Sequence, residues 1–311
     1  MSSQLEQLRS MTTIVADTSD FAAIEMYRPE DATTNPSLVF QAAQKPEYRD
    51  LIKKAAQQAG ADQNLLIDTL FVAFGVELLK IVPGRVSTEV DPSLSFDTQK
   101  TIDRTKQIIS LYEDQGIPRD RVLIKLATTW EGVRAAEVLE MEGIHCNMTL
   151  IFSLIQAAAC MNAKATLISP FVGRVLDWYT KTTGNTYTGE TDPGVTLVRN
   201  IYNYGKKFGH KTQIMGASFR NKEEIVCLAG CDLLTISPKL LNELHQCSDT
   251  VSQQLSQKTA DCSALEKMAI SESRFKYLLN EDAMATEKLA EGIRSFAKDT
   301  EKLKAFISEN F

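Results

Sequence analysis

The stretch Val122-Leu123-Ile124-Lys125-Leu126-Ala127-Thr128 reads as a buried β-strand, apolar and partly β-branched, with a single charge set among its residues. Strand side chains alternate in direction, so Lys125 points with Leu123 and Ala127, while Ile124 points away with Val122 and Leu126. One side of this strand packs on helices and the other carries an amine. Similar short runs recur at 12–18, 32–35, 85–90, 146–151, 166–169, 212–218 and 233–237. Helical periodicity falls between them, at 101–112, 131–141 and 223–229, so strand and helix alternate as a parallel α/β protein requires. Eight such units fit a (β/α)8 barrel, which needs about 250 residues. The expected fold class is α/β: a single (β/α)8 TIM barrel over residues 1–311, one domain, with additional helices at both ends.

Two intervals, 36–84 and 171–210, are too long for one helix each and read as insertions. In the first, 47–58 and 65–79 have helical patterns. In the second, the Thr-, Gly- and Asp-rich tract 180–193 reads as a loop and 195–207 resumes a helix. Ser3-x-x-Glu6 is a capping box before Leu5 and Leu8, which places a short helix ahead of the first strand. Near the other end, Leu289, Ile293, Phe296, Leu303, Phe306 and Ile307 keep one helix face apolar. That helix is expected to pack on the barrel, with a partner interface as the alternative.

The chain has 43% hydrophobic residues, enough for a large core, and a formal charge of -6. Such a balance gives no general electrostatic footprint for nucleic acid or an anionic membrane. Any phosphate must therefore meet a local cluster of arginines and backbone amides. No apolar run approaches a membrane span, and MSSQLEQLRS lacks the apolar stretch of a secretory signal, so a cytoplasmic location is expected. The cysteines at 146, 160, 227, 231, 247 and 262 read as free thiols. Cys227 and Cys231 form a lone C-x3-C, and His145, His210 and His245 have no ligand-like spacing, so no metal is expected. Asn147-Met148-Thr149 matches a glycosylation sequon, but its apolar setting makes it a coincidence of two side chains facing the same way.

Most of the candidate strands carry a polar or charged residue near the C-terminal end, which is the catalytic face of a βα barrel. Asp17 shares a side with Val15 and Thr13, and Glu89 with Ser87. By the same alternation Asn35 pairs with Thr33, Asn147 with Thr149, Ser169 with Leu167, and Ser218 with Gly216 and Arg220. A lysine in so apolar a strand is expected to lower its pKa, find a carboxylate, or both. Two readings are open for it. One is a structural ion pair of Lys125 with Asp17 or Glu89. The other is an amine that attacks a ketone and forms an imine. A set of carboxylates, amides and hydroxyls converging on one face favours the second, because an ion pair needs none of them.

At this point the sequence resembles the transaldolases. The resemblance rests on Thr13-Ile-Val-Ala-Asp-Thr18, Asp31-Ala-Thr-Thr-Asn-Pro-Ser37, Pro83-Gly-Arg-Val-Ser-Thr-Glu-Val-Asp91 and Ile124-Lys-Leu-Ala-Thr-Thr-Trp-Glu-Gly132. It extends through Cys146-Asn-Met-Thr-Leu-Ile-Phe152, Ile168-Ser-Pro-Phe-Val-Gly-Arg174 and Gly216-Ala-Ser-Phe-Arg-Asn221. It implies exchange of a dihydroxyacetone unit between sedoheptulose 7-phosphate with glyceraldehyde 3-phosphate and erythrose 4-phosphate with fructose 6-phosphate. That is a step of the non-oxidative pentose phosphate pathway, carried out without a cofactor, and the resemblance also implies a homodimer.

Carried onto this chain, the resemblance makes Lys125 the Schiff-base lysine and Asp17 the acid/base at the donor's C4 hydroxyl. Glu89 with Thr149 would hold the water that shuttles protons. Asn35, Asn147 and Ser169 would bind the dihydroxyacetone hydroxyls, with Thr33 beside Asn35, and Arg174, Ser218 and Arg220 would bind the phosphate. Phe171 belongs to the same set. Bland alternatives stand beside these roles: Arg174 as an ion-pair partner, Ser169 and Ser218 as helix caps, Phe171 as core. Two other functions remain open, a Schiff-base aldolase cleaving one sugar phosphate and a non-catalytic sugar-phosphate-binding barrel.

Overall fold

In a computed structural model, which describes residues 2–60 and 62–311, the chain forms a closed barrel of parallel strands in sequence order. The strands are β1 (Thr13–Asp17), β2 (Asp31–Thr33), β3 (Val86–Glu89), β4 (Val122–Ala127), β5 (Cys146–Ile151), β6 (Leu167–Pro170), β7 (Gln213–Gly216) and β8 (Leu233–Ile236). β8 returns to pair with β1, which closes the cylinder. The helices in chain order are α1 (Gln4–Arg9), α2 (Phe21–Tyr27), α3 (Pro36–Ala43), α4 (Arg49–Ala59), α5 (Gln63–Leu79), α6 (Thr98–Asp114), α7 (Trp130–Met141) and α8 (Leu154–Asn162). They continue with α9 (Gly173–Thr183), α10 (Pro193–Lys207), α11 (Lys222–Val226), α12 (Pro238–Gln246), α13 (Gln257–Asp261), α14 (Glu272–Glu281) and α15 (Ala283–Asn310). The eight strands and the terminal helices α1 and α15 are those expected from the sequence.

Alternation along the strands sorts the side chains into two cores. Ile14, Ala16, Val122, Ile124 and Leu126 face outward into the layer shared with the helices. Val15, Leu123, Leu167, Met215 and Leu233 face inward and fill the barrel as one apolar layer. Below that layer, at the strand N-termini, Arg85 donates to both Asp31 and Gln213 and plugs the barrel floor with a satisfied polar group. Above it come the inward residues of the strand C-termini, most of them polar, with Ala127 and Ala217 the apolar exceptions.

Several expectations need correction. The tract 180–193 is not wholly loop: α9 continues to Thr183 and stops where Gly184 takes φ 73°, the left-handed conformation that ends helices. The segment 223–229 stays helical only to Val226. The strand at 32–35 ends at Thr33, because Asn35 caps α3 through Oδ1, which accepts from Leu38 N at 3.0 Å. The apolar face of the C-terminal helix packs on its own barrel, as expected. Leu289, Ile293 and Phe296 bury against Leu150, Phe171 and Ala217 at the barrel mouth, and Leu303 and Ile307 against α3, α4 and α5. Every cysteine is a free thiol.

Candidate active site

Lys125 lies on β4 between Glu89 of β3 and Asn147 of β5, each directly paired with it in the sheet. Its Nζ donates to the carbonyl oxygen of Thr34 at 2.9 Å and approaches Glu89 Oε2 to 3.7 Å. Both side chains are buried, Lys125 at 6% and Glu89 at 4% exposure. Burial pushes the Glu89 carboxyl up to about 7, with Lys125 and Arg174 opposing the shift. The Asp17 carboxyl is also raised by burial, against the pull of Lys125, a hydrogen bond from Thr33 and the charge of Arg174. Thr33 Oγ1 donates to Asp17 Oδ1 at 3.0 Å and contacts Thr235 Oγ1 at 2.9 Å, which fixes the carboxylate across β1, β2 and β8.

Asp17, Thr33 and Lys125 border a cavity of about 60 Å³ at the C-terminal mouth of the barrel. Asp17, Thr33, Asn35, Lys125, Thr149 and Ser169 line its polar half; Phe171, Arg174 and Ser218 line the other end, with Met215, Ala217, Thr235 and Phe296. A wider groove of about 240 Å³ opens on the outside between α4, α5 and α6, but none of the candidate residues reaches it.

Three candidates lie off the cavity wall. Asn147 is fully buried beneath it, donating to Ser87 Oγ at 3.0 Å and accepting from Ser169 Oγ at 2.6 Å, so it ties β3, β5 and β6 together. Glu89 sits behind Lys125 on a small adjoining void beside Ala127 and Leu150. Arg220 is exposed, held by Asp177 at 2.7 Å and by the carbonyl oxygen of Ser218 at 3.2 Å. Asn147 and Thr149 are both fully buried, which glycosylation could not tolerate.

Arg174, near the start of α9, has its guanidinium carbon 5.1 Å from the ring centre of Phe171 and 5.2 Å from that of Phe296. Two aromatic faces thus hold a cation at the cavity end. Burial, and then the neighbouring charge of Arg220, pull its pKa below the usual guanidinium value. Arg174 thus lines the cavity end, while Arg220, paired with Asp177, stands just outside its wall.

Residues 14–307 match the sequence family described as transaldolase/fructose-6-phosphate aldolase. The chain belongs to that family. Among solved structures, an IMP dehydrogenase/GMP reductase-like protein from Corynebacterium glutamicum aligns over 74% of this chain and 64% of its own length, with 11% identity and a TM-score of 0.41. A likeness that weak carries no argument about a transaldolase/fructose-6-phosphate aldolase family member.

Within this family member, strand alternation misplaces one residue. Ser218 does not share a side with Gly216, because Met215 is the inward residue of β7. Gly216 faces outward, where a Cβ would meet Leu234, Phe219 and Leu228. Ser218 enters the cavity because its φ is 61°, a turn past the end of β7 that sequence parity cannot follow. Thr235 was missed, although its inward position two residues after Leu233 could have revealed it. Phe296, more than 100 residues from the other ring on Arg174, left no local signal.

Proposed function

We propose that this chain is a transaldolase, one catalytic domain over residues 1–311, moving a dihydroxyacetone unit between sugar phosphates through a Schiff base on Lys125. The observation that carries the proposal is a buried amine opening on the cavity between Asp17 and Glu89, two carboxyl groups that burial keeps above their ordinary range. A nucleophilic amine must be neutral to attack and must lose water to become an imine, so it needs proton donors and acceptors that titrate near neutrality.

Lys125 Nζ attacks the C2 carbonyl carbon of the ketose, and loss of water from the carbinolamine gives the iminium. Glu89 Oε2 and Thr149 Oγ1 are both buried and lack a hydrogen-bond partner among the described residues. They flank Lys125 from β3 and β5, positions suited to hold that water and pass its protons. Asp17 then takes the proton from the C4 hydroxyl. The C3–C4 bond breaks, its electrons move into the iminium, and the aldose leaves. The enamine left on Lys125 attacks the aldehyde carbon of a second aldose, and the same steps run backwards to free the lysine.

Thr33, Asn35 and Ser169 offer hydrogen bonds to the dihydroxyacetone hydroxyls; with its oxygen committed to the cap of α3, Asn35 offers its Nδ2. Asn147 reaches them through Ser169. Phe171 closes the apolar side, and Arg174, Ser218 and Arg220 receive the phosphate. The enzyme so proposed works as a cytoplasmic homodimer in the non-oxidative pentose phosphate pathway, as its motifs imply. No helix among the described residues is long and apolar enough to cross a membrane.

The test is borohydride reduction in the presence of fructose 6-phosphate, followed by mass spectrometry. A reduced three-carbon unit on Lys125 is expected; a label elsewhere, or none, refutes the mechanism. Lys125→Met should fold and lose turnover, because it removes a buried amine at nearly constant volume. The family description also admits fructose-6-phosphate aldolase. Adding erythrose 4-phosphate separates the two: a transaldolase turns over rapidly only with the acceptor, whereas an aldolase releases free dihydroxyacetone without it.

A further inference from the structure

Outside the barrel mouth, two acidic side chains are buried against each other. Asp192, just before α10, is 1% exposed and Glu224, in α11, is fully buried. Asp192 Oδ1 caps α10, accepting from Gly194 N at 2.7 Å and Val195 N at 3.3 Å. Glu224 Oε2 accepts from Arg220 N at 2.7 Å. The two remaining oxygens, Asp192 Oδ2 and Glu224 Oε1, are buried and receive no N–H or hydroxyl from the described residues, and each carboxyl group is close enough to feel the other. Both ionised, they would set two buried carboxylate oxygens together with no donor between them.

We infer that Asp192 and Glu224 share one proton and act as a positioning pair, holding the backbone of Arg220 where a substrate phosphate meets it. The inference rests on the phosphate role proposed above for Arg174, Ser218 and Arg220. Asp192 keeps the charge, since two backbone amides and the start of α10 stabilise it, and Glu224 donates its proton across the gap. Burial pushes the Glu224 carboxyl up to about 7, with the Asp192 charge adding to the rise and the amides of Arg220 and Asn221 opposing it. Among the described residues, Arg220 after β7 acts on Glu224, and Cys227, just past α11, feels Asp192 together with Glu223 and the Glu190–Arg199 ion pair.

The pair joins two loops that meet at the phosphate end. On one side, Gly194 lies so close to Val172 that an added Cβ would stand 2.2 Å from the Val172 carbonyl oxygen. On the other, Gly173 N donates to the carbonyl oxygen of Ser218 at 3.0 Å. Arg174 and Arg220 leave the chain immediately beyond these contacts, so a shift between α10 and α11 moves one arginine relative to the other.

A shared proton makes a prediction that a merely structural pair does not. In Glu224→Gln the amide oxygen can accept from Arg220 N while the amide nitrogen donates to Asp192. In Asp192→Asn, Oδ1 can keep the α10 cap while Nδ2 donates to an ionised Glu224. In the double variant both oxygens are committed to the backbone, and two NH2 groups face each other. Calorimetry with inorganic phosphate should therefore find each single amide within about twofold of the parent and the double variant weaker by about tenfold. Glu224→Ala, which abandons Arg220 N, should match the double.

Urea unfolding should show the same non-additivity. Because the folded carboxyl of Glu224 holds its proton up to about 7, above its ordinary 4.5, its stabilisation is complete below 4.5 and is lost as pH rises through 7. Each single amide should remove that part of the pH slope. Single variants as damaging as the double, or additive losses, overturn the shared proton. Absence of phosphate binding in the parent, with Lys125 still trapped by borohydride, instead removes the phosphate assignment and the positioning role with it.

Discussion

Lys125 Nζ stands 3.7 Å from Glu89 Oε2 while donating at 2.9 Å to the carbonyl oxygen of Thr34. The pair is in ionic contact but beyond hydrogen-bond length, so a proton passing between them needs an intermediary. The backbone bond points the amine and leaves its other positions free for a ketone.

A carboxyl lifted to about 7 is half-protonated at neutral pH and can both give and take a proton. Below 7 Glu89 is mainly the acid, and above 7 mainly the base. The rate of imine formation should therefore bend near pH 7. Glu89→Gln should slow the borohydride-trapped adduct by about a hundredfold or more and erase the bend. Quenched-flow trapping between pH 5.5 and 8.5 measures both; a bend that persists in the variant removes Glu89 from the relay.

Arg174 is held by two rings as well as by its charge. Arg174→Ala should raise KM for fructose 6-phosphate by about tenfold to a hundredfold, the equivalent of one charge-assisted contact, and barely change that for unphosphorylated fructose. Arg174→Lys should recover little, because an ammonium cannot stack flat between Phe171 and Phe296. Equal effects on both sugars would place the arginine outside the phosphate site.

The barrel was legible because its strands are short, apolar and regularly spaced, and because alternation of side chains is a local rule. That rule alone brings Asp17, Glu89, Lys125, Asn147, Thr149 and Ser169 to the barrel interior. It failed at Ser218, where the chain leaves the strand through a left-handed residue. It was also blind to what reaches the mouth from afar. The ring of Phe296 comes from α15, and the register shift in β5, with Leu150 at φ 57°, depends on buried partners that periodicity does not encode. One of these is Gln156, whose amide donates to the carbonyl oxygens of Thr128 and Leu150 while accepting from Phe152 N.

Gly194 offers a stability test of the phosphate end. A methyl group there would meet the Val172 carbonyl oxygen, which is backbone and cannot rotate away. Gly194→Ala should cost about 1–3 kcal/mol, read as a lowered urea midpoint at unchanged slope. It should also raise KM for phosphorylated donors, since Val172 leads directly into Arg174. An unchanged midpoint would show that the contact yields freely.

In the proposed reaction the sharpest division of labour lies between Asp17 and Glu89, because imine formation and C–C cleavage draw on different proton transfers. Asp17 is held by Thr33 at the cavity wall, open to the donor's C4 hydroxyl in the proposed reaction, whereas Glu89 lies behind the lysine. Asp17→Asn keeps size and one hydrogen-bond acceptor but removes the base. It should still form the Schiff base with fructose 6-phosphate and stall before cleavage, so that reduction traps the whole six-carbon sugar phosphate on Lys125. Glu89→Gln should accumulate any adduct late and sparsely, because the step ahead of cleavage is the one it slows. The mass of the trapped adduct separates the roles directly. If Asp17→Asn yields only the three-carbon unit, cleavage proceeds without that carboxylate; if both variants trap six carbons at one rate, the two groups do not divide the work.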